Sequence, residues 1–157
     1  MKVKIKKLSA DAMMPTKAHP SDAGFDLVAT SRAIDMYGNV VYGTGLAFEI
    51  PEGYAGLLFP RSSLAKKDLL LSNSVGVIDS HYRGEVTMKF KPACKILPMT
   101  KKWVYISASI DDGFEDYQVG DRIGQLIIMP IPEVEFEWAD ELSTTDRGEG
   151  GYGSTGR

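Results

Sequence analysis

The residues EVTMKFK, at positions 85–91, indicate the class of fold most directly. Val86, Met88 and Phe90 alternate with polar residues, so they would share one face of an extended strand. The same period of two recurs in three other stretches, which are KVKIK (2–6), LAFEI (46–50) and EVEFEW (133–138). This is the pattern of half-buried β-strands, and together with frequent turn signals it predicts an all-β barrel or sandwich.

Three further stretches refine this prediction. RIGQLIIMPI (122–131) is apolar almost throughout, which indicates a strand buried on both sides or against a partner. SSLAKKD (62–68) is the one stretch that reads as helical, with serines that can cap a helix of about two turns. The segment 95–120 is expected to form an extended excursion such as a hairpin.

Composition limits the classes of function. The chain has 157 residues, the size of one ordinary domain, and a net charge of -3 without a long basic run. Duplex DNA or an anionic membrane is therefore not expected as the main partner. The single cysteine, Cys94, excludes an internal disulfide, and no signal peptide or membrane-length apolar run is present. A cytoplasmic location is the resulting expectation.

Two stretches combine polar residues with a site for an anion. Asp26, in SDAGFDLVAT (21–30), sits between Phe25 and Leu27, and the simplest interpretation is a strand-end carboxylate bonded to backbone. In PRSSLA (60–65), Ser62 and Ser63 are either plain helix caps or ligands of an anion. Arg61 favours the anion, because a guanidinium at a helix start would otherwise be repelled by the helix dipole.

Two more stretches carry possible catalytic and binding groups. In NSVGVIDSHYRGEV (73–86), Asp79 follows an apolar run, so it is expected at a strand end and partly desolvated. A carboxylate held there can orient and deprotonate a water, although structural carboxylates also occur at such positions. In GDRIGQLII (120–128), Asp121 and Arg122 could form a simple turn ion pair, whereas Gln125 needs hydrogen-bond partners inside an apolar run.

The chain ends in RGEGGYGSTGR (147–157), where five of the ten residues 147–156 are glycine. Glycines expose backbone N–H groups and adopt positive φ easily, so the tail could wrap a phosphate. Disorder of a chain terminus is the other interpretation. No zinc-ligand spacing, P-loop or Ser-His-Asp arrangement is present in the sequence.

Taken together, the five stretches DAGFDL, PRSSLA, NSVGVIDSHYRGEV, GDRIGQLI and RGEGGYGSTG resemble, in order, the five motifs of the trimeric dUTPases. The resemblance spans residues 22–156 and implies a jelly-roll-like distorted β-barrel with one short helix and a glycine-rich arm. It implies a single domain over 1–157, with a β core at 1–142 and a mobile arm at 143–157. It also implies a homotrimer whose active sites lie between subunits.

The resemblance implies that dUTP is hydrolysed to dUMP and pyrophosphate with Mg²⁺, which keeps uracil out of DNA and supplies dUMP for thymidylate synthesis. Asp79 matches the carboxylate that activates the attacking water, and Asp26 matches a residue that reaches Mg²⁺ through water. The residues matching nucleotide contacts are Arg61, Ser62, Ser63 and Gln125 for phosphates, Asn73, Val77, Ile78 and Thr87 for uracil, Tyr82 for deoxyribose, and Arg147, Tyr152, Gly153, Ser154 and Thr155 in the closing tail.

Two alternatives stay open at this point. A dCTP deaminase shares the fold, but the position of its catalytic glutamate falls on Lys89 here, and a lysine cannot serve as that acid. A non-catalytic nucleotide-responsive binding or signalling module would have lost part of the base or arginine set. Asp79, Tyr82, Arg61 and Arg147 are all present, which favours the hydrolase.

Overall fold

The computed structural model describes residues 1–93 and 115–151, together with the backbone of two strands at 95–99 and 102–106. The described elements, in chain order, are β1 Lys4–Lys7, β2 Phe25–Val28, β3 Ser31–Ile34, β4 Val40–Gly43, β5 Leu46–Glu49, β6 Tyr54–Phe59, a 3₁₀ helix Ser62–Lys66, β7 Leu69–Leu71, β8 Gly76–Ile78, β9 Thr87–Pro92, β10 Lys95–Met99, β11 Lys102–Ile106 and β12 Arg122–Pro130.

The strands form two four-stranded sheets, with strand orders β2-β12-β6-β8 and β3-β4-β9-β7. Two smaller sheets consist of β1 with β5 and of β10 with β11, and every pairing is antiparallel. Two packed antiparallel sheets are the arrangement of a jelly roll. The all-β prediction is confirmed, and in the described part of the chain no helix is long and apolar enough to cross a membrane.

The alternating stretch 85–91 supplies the centre of the core. Val86, Met88 and Phe90 are at most 1% exposed, whereas Thr87 and Lys89 face outward. Phe90 packs edge-on against Tyr42, with ring centroids 5.8 Å apart. LAFEI behaves as predicted too, since the other buried residues of the core include Leu46, Phe48 and Ile50. Removal of this apolar surface from water is the main force that holds the sheets together.

Strand β12 is central, as its apolar composition predicts. It pairs with β2 on one side and with β6 on the other, and Ile123 and Leu126 are buried. Gly124 is required in this strand, because a Cβ atom there would collide with the sulfur of Met88 and approach the carbonyl of Phe59. Strand β12 therefore pairs within the sheet β2-β12-β6-β8 and also lies against Met88, a core residue of the other four-stranded sheet.

Two sequence predictions were wrong in detail. The predicted two-turn helix over 62–68 is a 3₁₀ helix of five residues, Ser62–Lys66, with Arg61 at its N-cap and no side-chain cap. Tight 3₁₀ turns are typical of such short connectors. The predicted strand over EVEFEW is not formed: residues 131–140 have no strand, and the side chains of Phe136 and Trp138 are 97% and 104% exposed. An alternating pattern without a pairing partner in its own chain cannot complete a strand.

The excursion after β9 contains the expected hairpin. Strands β10 and β11 pair from Lys95↔Ile106 to Met99↔Lys102. The prediction for the rest of this excursion falls on residues 107–114, which lie outside the described residues. The described chain resumes at residue 115 and continues to β12, which begins at Arg122.

Candidate active site

The structure gathers residues from three distant stretches around one buried carboxylate. Asp26 is 6% exposed, and its Oδ1 accepts a hydrogen bond of 2.8 Å from Arg61 Nε and one of 3.3 Å from Gln125 Nε2. Its Oδ2 accepts a bond of 3.1 Å from Arg122. Hydrogen bonds between ionised groups are the strong ones, so this carboxylate holds both guanidinium groups in place. We call these four residues the arginine cluster.

Strand register explains why the arginine cluster forms. In the pairing of β12 with β2, Gln125 lies directly opposite Asp26, and in the pairing with β6 it lies opposite Phe59. Arg61 follows two residues after Phe59, so the chain leaving β6 carries it over the same end of the sheet. Gly24 completes the fit, since a Cβ there would lie 2.9 Å from the Cβ of Gln125.

These contacts decide between the alternatives left open by the sequence. The Asp26 side chain is bonded to three side chains and not to backbone as a simple strand-end carboxylate would be. Gln125 has the partner that its place in an apolar strand requires. The suggested Asp121–Arg122 turn ion pair is not formed, because Arg122 pairs with Asp26 and the Asp121 side chain accepts from the backbone N–H of Gln118.

Ser62 and Ser63 lie in the 3₁₀ helix beside Arg61, and neither caps it. The Ser63 hydroxyl is 3.4 Å from the hydroxyl of Tyr117, and Ser62 is exposed. The plain capping role is therefore wrong, and the serine hydroxyls stay available for a ligand on the surface next to Arg61. The structure thus brings Arg61 and Gln125 together at Asp26, and Ser62 and Ser63 follow Arg61 directly in the chain.

A buried polar group behind the serines was not found from the sequence. Tyr42 donates to the carbonyl of Tyr117 at 2.9 Å, and burial raises its pKa to about 12. Asp116 pairs with Arg32 at 2.6 Å, and its hydrogen bond is the main reason that the pKa of Arg32 is raised. These contacts anchor residues 115–118, which lead into β12. Single residues separated by more than 70 positions give no periodic signal in a sequence.

A cavity of about 300 Å³ is lined by two of the four residues predicted to contact uracil, Asn73 and Thr87. Its lining residues are Leu58, Leu71, Ser72, Asn73, Gly76, Thr87, Met88 and Lys89. A tight turn shapes one wall, where Val75 N–H donates to the carbonyl of Asn73 at 2.6 Å and Ser74 has a φ of +60°. Positive φ is uncommon outside glycine, so this turn is held by its surroundings. Val77 and Ile78 follow in β8 but do not line the cavity.

Asp79 lies apart from the arginine cluster. It follows β8 and is exposed in the single chain, so the expected partial desolvation is not seen there. It borders a cavity of about 610 Å³ together with Gly53, Tyr54 and His81. Tyr82 is 44% exposed and donates to the carbonyl of Glu85 at 3.0 Å. No hydrogen bond or ion pair between described residues joins Asp79 or Tyr82 to the arginine cluster.

The start of the glycine-rich tail lies in the last described stretch. Arg147 is exposed and donates to the carbonyl of Gly150 at 2.9 Å, within a turn that includes Gly148 at a φ of +51°. The predicted contacts of Tyr152, Gly153, Ser154 and Thr155 lie outside the described residues. The described part of the tail is not brought to the arginine cluster by any hydrogen bond or ion pair.

The donor set around Asp26 suits a metal only through water. Among the described residues, no group of three or more His, Cys, Asp and Glu side chains could hold a metal ion. Asp26 Oδ1 already accepts two hydrogen bonds, whereas Oδ2 accepts one and keeps a lone pair for a metal-bound water. Mg²⁺ commonly keeps several waters and takes its other ligands from substrate phosphates, so these residues fit an outer-shell contact.

Comparison with known proteins gives a consistent result. The family model described as dUTPase matches residues 10–97 and 98–156. The deoxyuridine 5'-triphosphate nucleotidohydrolase of Corynebacterium glutamicum is 40% identical over 157 residues, covering 99% of this chain and 95% of that protein. The protein of the same name from Nautilia profundicola is 40% identical over 159 residues and is covered completely.

Solved structures show the same relationship. The dUTPase of Staphylococcus bacteriophage 80alpha with dUPNHPP has a TM-score of 0.77 at 31% identity, and the match covers 99% of each chain. A mutant dUTPase from phage phi11 of S. aureus, described with a structural Mg(II) ion, has a TM-score of 0.66 at 27% identity over 90% of this chain and 98% of that one. The chain belongs to the dUTPase family, which confirms the family predicted from the five motifs.

Proposed function

We propose that this protein hydrolyses dUTP to dUMP and pyrophosphate, and that it thereby keeps uracil out of DNA and supplies dUMP for thymidylate synthesis. The observation that carries the proposal is the arginine cluster. A triphosphate carries about four negative charges near neutral pH, and catalysis of phosphoryl transfer depends mainly on positioning and on electrostatic stabilisation. Asp26 holds Arg61 and Arg122 in a fixed arrangement beside Gln125, so their orientation needs little reorganisation when substrate binds.

The proposed chemical step uses Asp79 as the general base. Its exposure in the single chain gives water access to the carboxylate. The carboxylate takes one proton from a water, whose oxygen forms a bond to the α-phosphorus. The bond from that phosphorus to the oxygen bridging to the β-phosphorus breaks, and pyrophosphate leaves with the electron pair. Arg61, Ser62, Ser63 and Gln125 bind the phosphates during this step, and no covalent intermediate is needed.

Base and sugar are proposed to bind next to the 300 Å³ cavity. Its wall contains the predicted uracil contacts Asn73 and Thr87, and backbone groups of Val77 and Ile78 continue the same edge along β8. Tyr82, which is 44% exposed and therefore open to a ligand, packs against the deoxyribose and excludes a ribose 2′-hydroxyl. A close approach of the hairpin at 73–79 to the base would also exclude the methyl group of thymine.

Mg²⁺ is proposed as the cofactor. The free lone pair of Asp26 Oδ2 supports a contact to a metal-bound water, and substrate phosphates would supply the direct ligands. When bound, the ion neutralises part of the phosphate charge. The protein's own contribution at this point is to hold the Asp26 carboxylate in place through its two arginine partners.

The glycine-rich tail is proposed to close over the bound nucleotide. Arg147, Ser154 and Thr155 would grip the γ-phosphate, Tyr152 would cover the base, and Gly153 would let the backbone approach the ligand. Closure of such a segment excludes bulk water and orders the phosphates. The proposal keeps one domain over 1–157, with a β core at 1–142 and a mobile arm at 143–157.

We further propose a homotrimer whose active sites are shared between subunits. The separation of Asp79 from the arginine cluster within one chain supports this, because a complete site then needs groups from more than one copy. The exposed segment 133–138 also supports it, because Val134, Phe136 and Trp138 are 57%, 97% and 104% exposed. Large apolar side chains in such a row mark an interaction surface.

The same chain offers a surface that suits this segment. An apolar groove of about 380 Å³ runs beside β1, and the residues that line it include Val3, Ile5, Phe25, Phe48, Leu126 and Ile128. In the described structure β1 pairs only with β5, which leaves its other edge for a further strand. Lys4 and Lys6 alternate along β1 and Lys2 continues this spacing before the strand, while three glutamates alternate along 133–137. Opposite charges on paired strands are stabilising, so the segment of one copy fits the β1 edge of another.

The remaining alternatives are tested by the substrate profile. A deaminase would release ammonia from dCTP, and a signalling module would bind dUTP without turnover. A cytoplasmic location and the absence of membrane and nucleic-acid partners remain predictions from composition.

The experiment is pyrophosphate release from dUTP with Mg²⁺, beside dCTP, dTTP and UTP, for the wild type and Asp79→Asn. We expect fast release from dUTP alone, reduced by about 10²- to 10⁴-fold in Asp79→Asn. Because Asp79 is exposed, its substitution leaves the melting temperature unchanged. Tight dUTP binding without release would instead support the signalling module, and full activity of Asp79→Asn would exclude Asp79 as the base.

A further inference from the structure

Lys89 is the one charged residue among those that line the 300 Å³ cavity. The other residues of its wall are apolar or neutral, and they include the predicted uracil contacts Asn73 and Thr87. Lys89 lies outside all five motif stretches. A cation at the edge of a base-sized cavity affects which bases can enter, because every polar edge of a base is either a donor or an acceptor.

A chain of polar contacts holds the Lys89 ammonium beside this cavity. Its Nζ lies 3.4 Å from Asp35 Oδ2, and both oxygens of Asp35 accept from the Asn39 amide at 3.1 and 3.0 Å. The carbonyl oxygen of that amide accepts at 3.2 Å from the hydroxyl of Ser72, which itself lines the cavity. Asn39 is also the main reason that the pKa of Asp35 falls to about 2, so the counter-charge of Lys89 is present at neutral pH.

The position of Lys89 along β9 indicates which substituent of a bound base it can contact. Thr87 and Lys89 both face outward from β9, whereas Met88 and Phe90 face the core. Two residues along a strand span about 7 Å, so Lys89 lies about 7 Å beyond Thr87 along β9, on the side away from the segment that carries Tyr82, the proposed deoxyribose contact. In a pyrimidine, ring position 4 lies opposite N1, which carries the sugar. The substituent at position 4 is therefore the group that extends furthest along the strand toward Lys89.

We propose that Lys89 is a specificity-determining residue that donates a hydrogen bond to the 4-carbonyl oxygen of uracil and thereby disfavours cytosine. This inference rests on the proposed function and names a further contact in the same site. A lysine ammonium has donors and no acceptor. Uracil presents an acceptor at position 4, whereas cytosine presents an amino group, whose hydrogens would face the ammonium.

The proposed hydrogen bond from Lys89 would distinguish uracil from cytosine but not from thymine. Thymine also carries a carbonyl at position 4, so Lys89 cannot contribute to the choice between dUTP and dTTP. Loss of the ammonium should therefore change the preference for dUTP over dCTP and leave the preference for dUTP over dTTP unchanged. A purely structural role of Lys89 would alter all three substrates in parallel.

The test compares kcat/KM for dUTP, dCTP and dTTP in the wild type, Lys89→Met and Lys89→Arg. A charged hydrogen bond contributes about 1.5 to 3 kcal/mol, so we expect Lys89→Met to lower the dUTP to dCTP ratio by about tenfold or more. Lys89→Arg keeps a donor and should retain most of the ratio. Lys91→Met is the matched control, because Lys91 shares the outer face of β9 but does not line the cavity.

The outcomes separate this inference from the proposed function. An unchanged dUTP to dCTP ratio in Lys89→Met, with an active wild type, would overturn the role of Lys89 alone. Absence of dUTP hydrolysis in the wild type would instead overturn the proposed function. Where dCTP turnover is too slow to measure, calorimetric Kd values for dUMP and dCMP test the same contact in the ground state, and an unchanged Kd ratio in Lys89→Met would overturn it. Lys89 is exposed, so thermal melting should show a folded variant.

Discussion

Two regions of the molecule differ in how complete they are within one chain. One is the arginine cluster, and the other is the exposed region that carries Asp79 and the C-terminal segment. In the cluster, a carboxylate that is 6% exposed joins residues from β2, β12 and the loop after β6. Asp79 and Arg147 are exposed, and neither forms an ion pair with another described residue. Phe136 and Trp138, between them in sequence, are almost fully exposed.

The two regions therefore differ in which contacts hold their side chains in position. The cluster is stabilised by the register of strands in its own chain, so folding of one subunit already orients it. In the exposed region, the side-chain hydrogen bonds described around Asp79 and Arg147 join residues only a few positions apart, and Phe136 and Trp138 have no apolar neighbours that bury them. Its order is expected to come from a neighbouring subunit and from the nucleotide. Three changes to the chain test this division, beginning with the largest expected effect, and a fourth tests the polar contacts beside Lys89.

Asp26→Ala should produce the largest loss, because it removes the centre of the cluster. Breaking a buried ion pair costs about 3 to 5 kcal/mol. Since the side chains of Arg61 and Arg122 are 23% and 53% exposed, we expect a smaller value of about 2 to 3 kcal/mol, together with loss of activity. Urea denaturation at fixed protein concentration measures it, with exposed Asp11→Ala as control. Equal stability of the two variants would show that the cluster is not a folding element.

Deletion of residues 147–157 should separate activity from folding. The phosphate grip proposed for this tail would be lost, and we expect dUTP hydrolysis to fall by about 100-fold. The unfolding free energy should stay the same, because residues 147–149 are exposed and the described hydrogen bonds of the tail stay within its own turn. Pyrophosphate release and thermal melting on the same preparation test both statements. A truncated enzyme of full activity would remove the tail from the site.

Trp138→Ser should weaken assembly and leave the core of each chain intact. The Trp138 side chain buries none of its apolar surface within one chain, where it is 104% exposed. Loss of an aromatic anchor from an interface costs about 2 kcal/mol, so the variant should dissociate at a higher protein concentration than the wild type does. Sedimentation velocity across a dilution series measures this. Met36→Ser is the control, since Met36 is 88% exposed in the β3–β4 turn, and similar behaviour of both variants would contradict the role of the segment.

The smallest effect is expected from the carboxylate of Asp35. Hydrogen bonds from Asn39 lower its pKa from 3.8 to about 2. A lowered pKa in the folded state means that the stabilisation is complete above about pH 4 and is lost as the pH falls toward 2. An NMR titration of side-chain carboxyl carbons should show the Asp35 midpoint near 2. Asn39→Ala should move this midpoint back toward 3.8, and an unchanged midpoint would exclude Asn39 as the cause.

Much of the fold follows from local patterns in the sequence. The alternation in EVTMKFK and LAFEI predicts buried faces that the structure confirms, because a strand with one apolar face has one way to avoid water. The helical prediction at 62–68 identified the right place but not the type or the bounds, since five residues between two strands leave room only for a tight turn. Of the site, the residue patterns indicated Asp26, Arg61 and Gln125 as separate candidates, and only the resemblance to a family implied that they belong to one site.

The order of the five motifs, and with it the family, was determined by the sequence alone, as was the all-β class. Only the tertiary structure decided that Arg122 pairs with Asp26 and not with its neighbour Asp121, and that EVEFEW remains outside the sheets of its own chain. The physical reason is the same in both cases. Periodicity records which face of a segment avoids water, but the partner of a charge or of a strand edge depends on register between segments far apart in sequence.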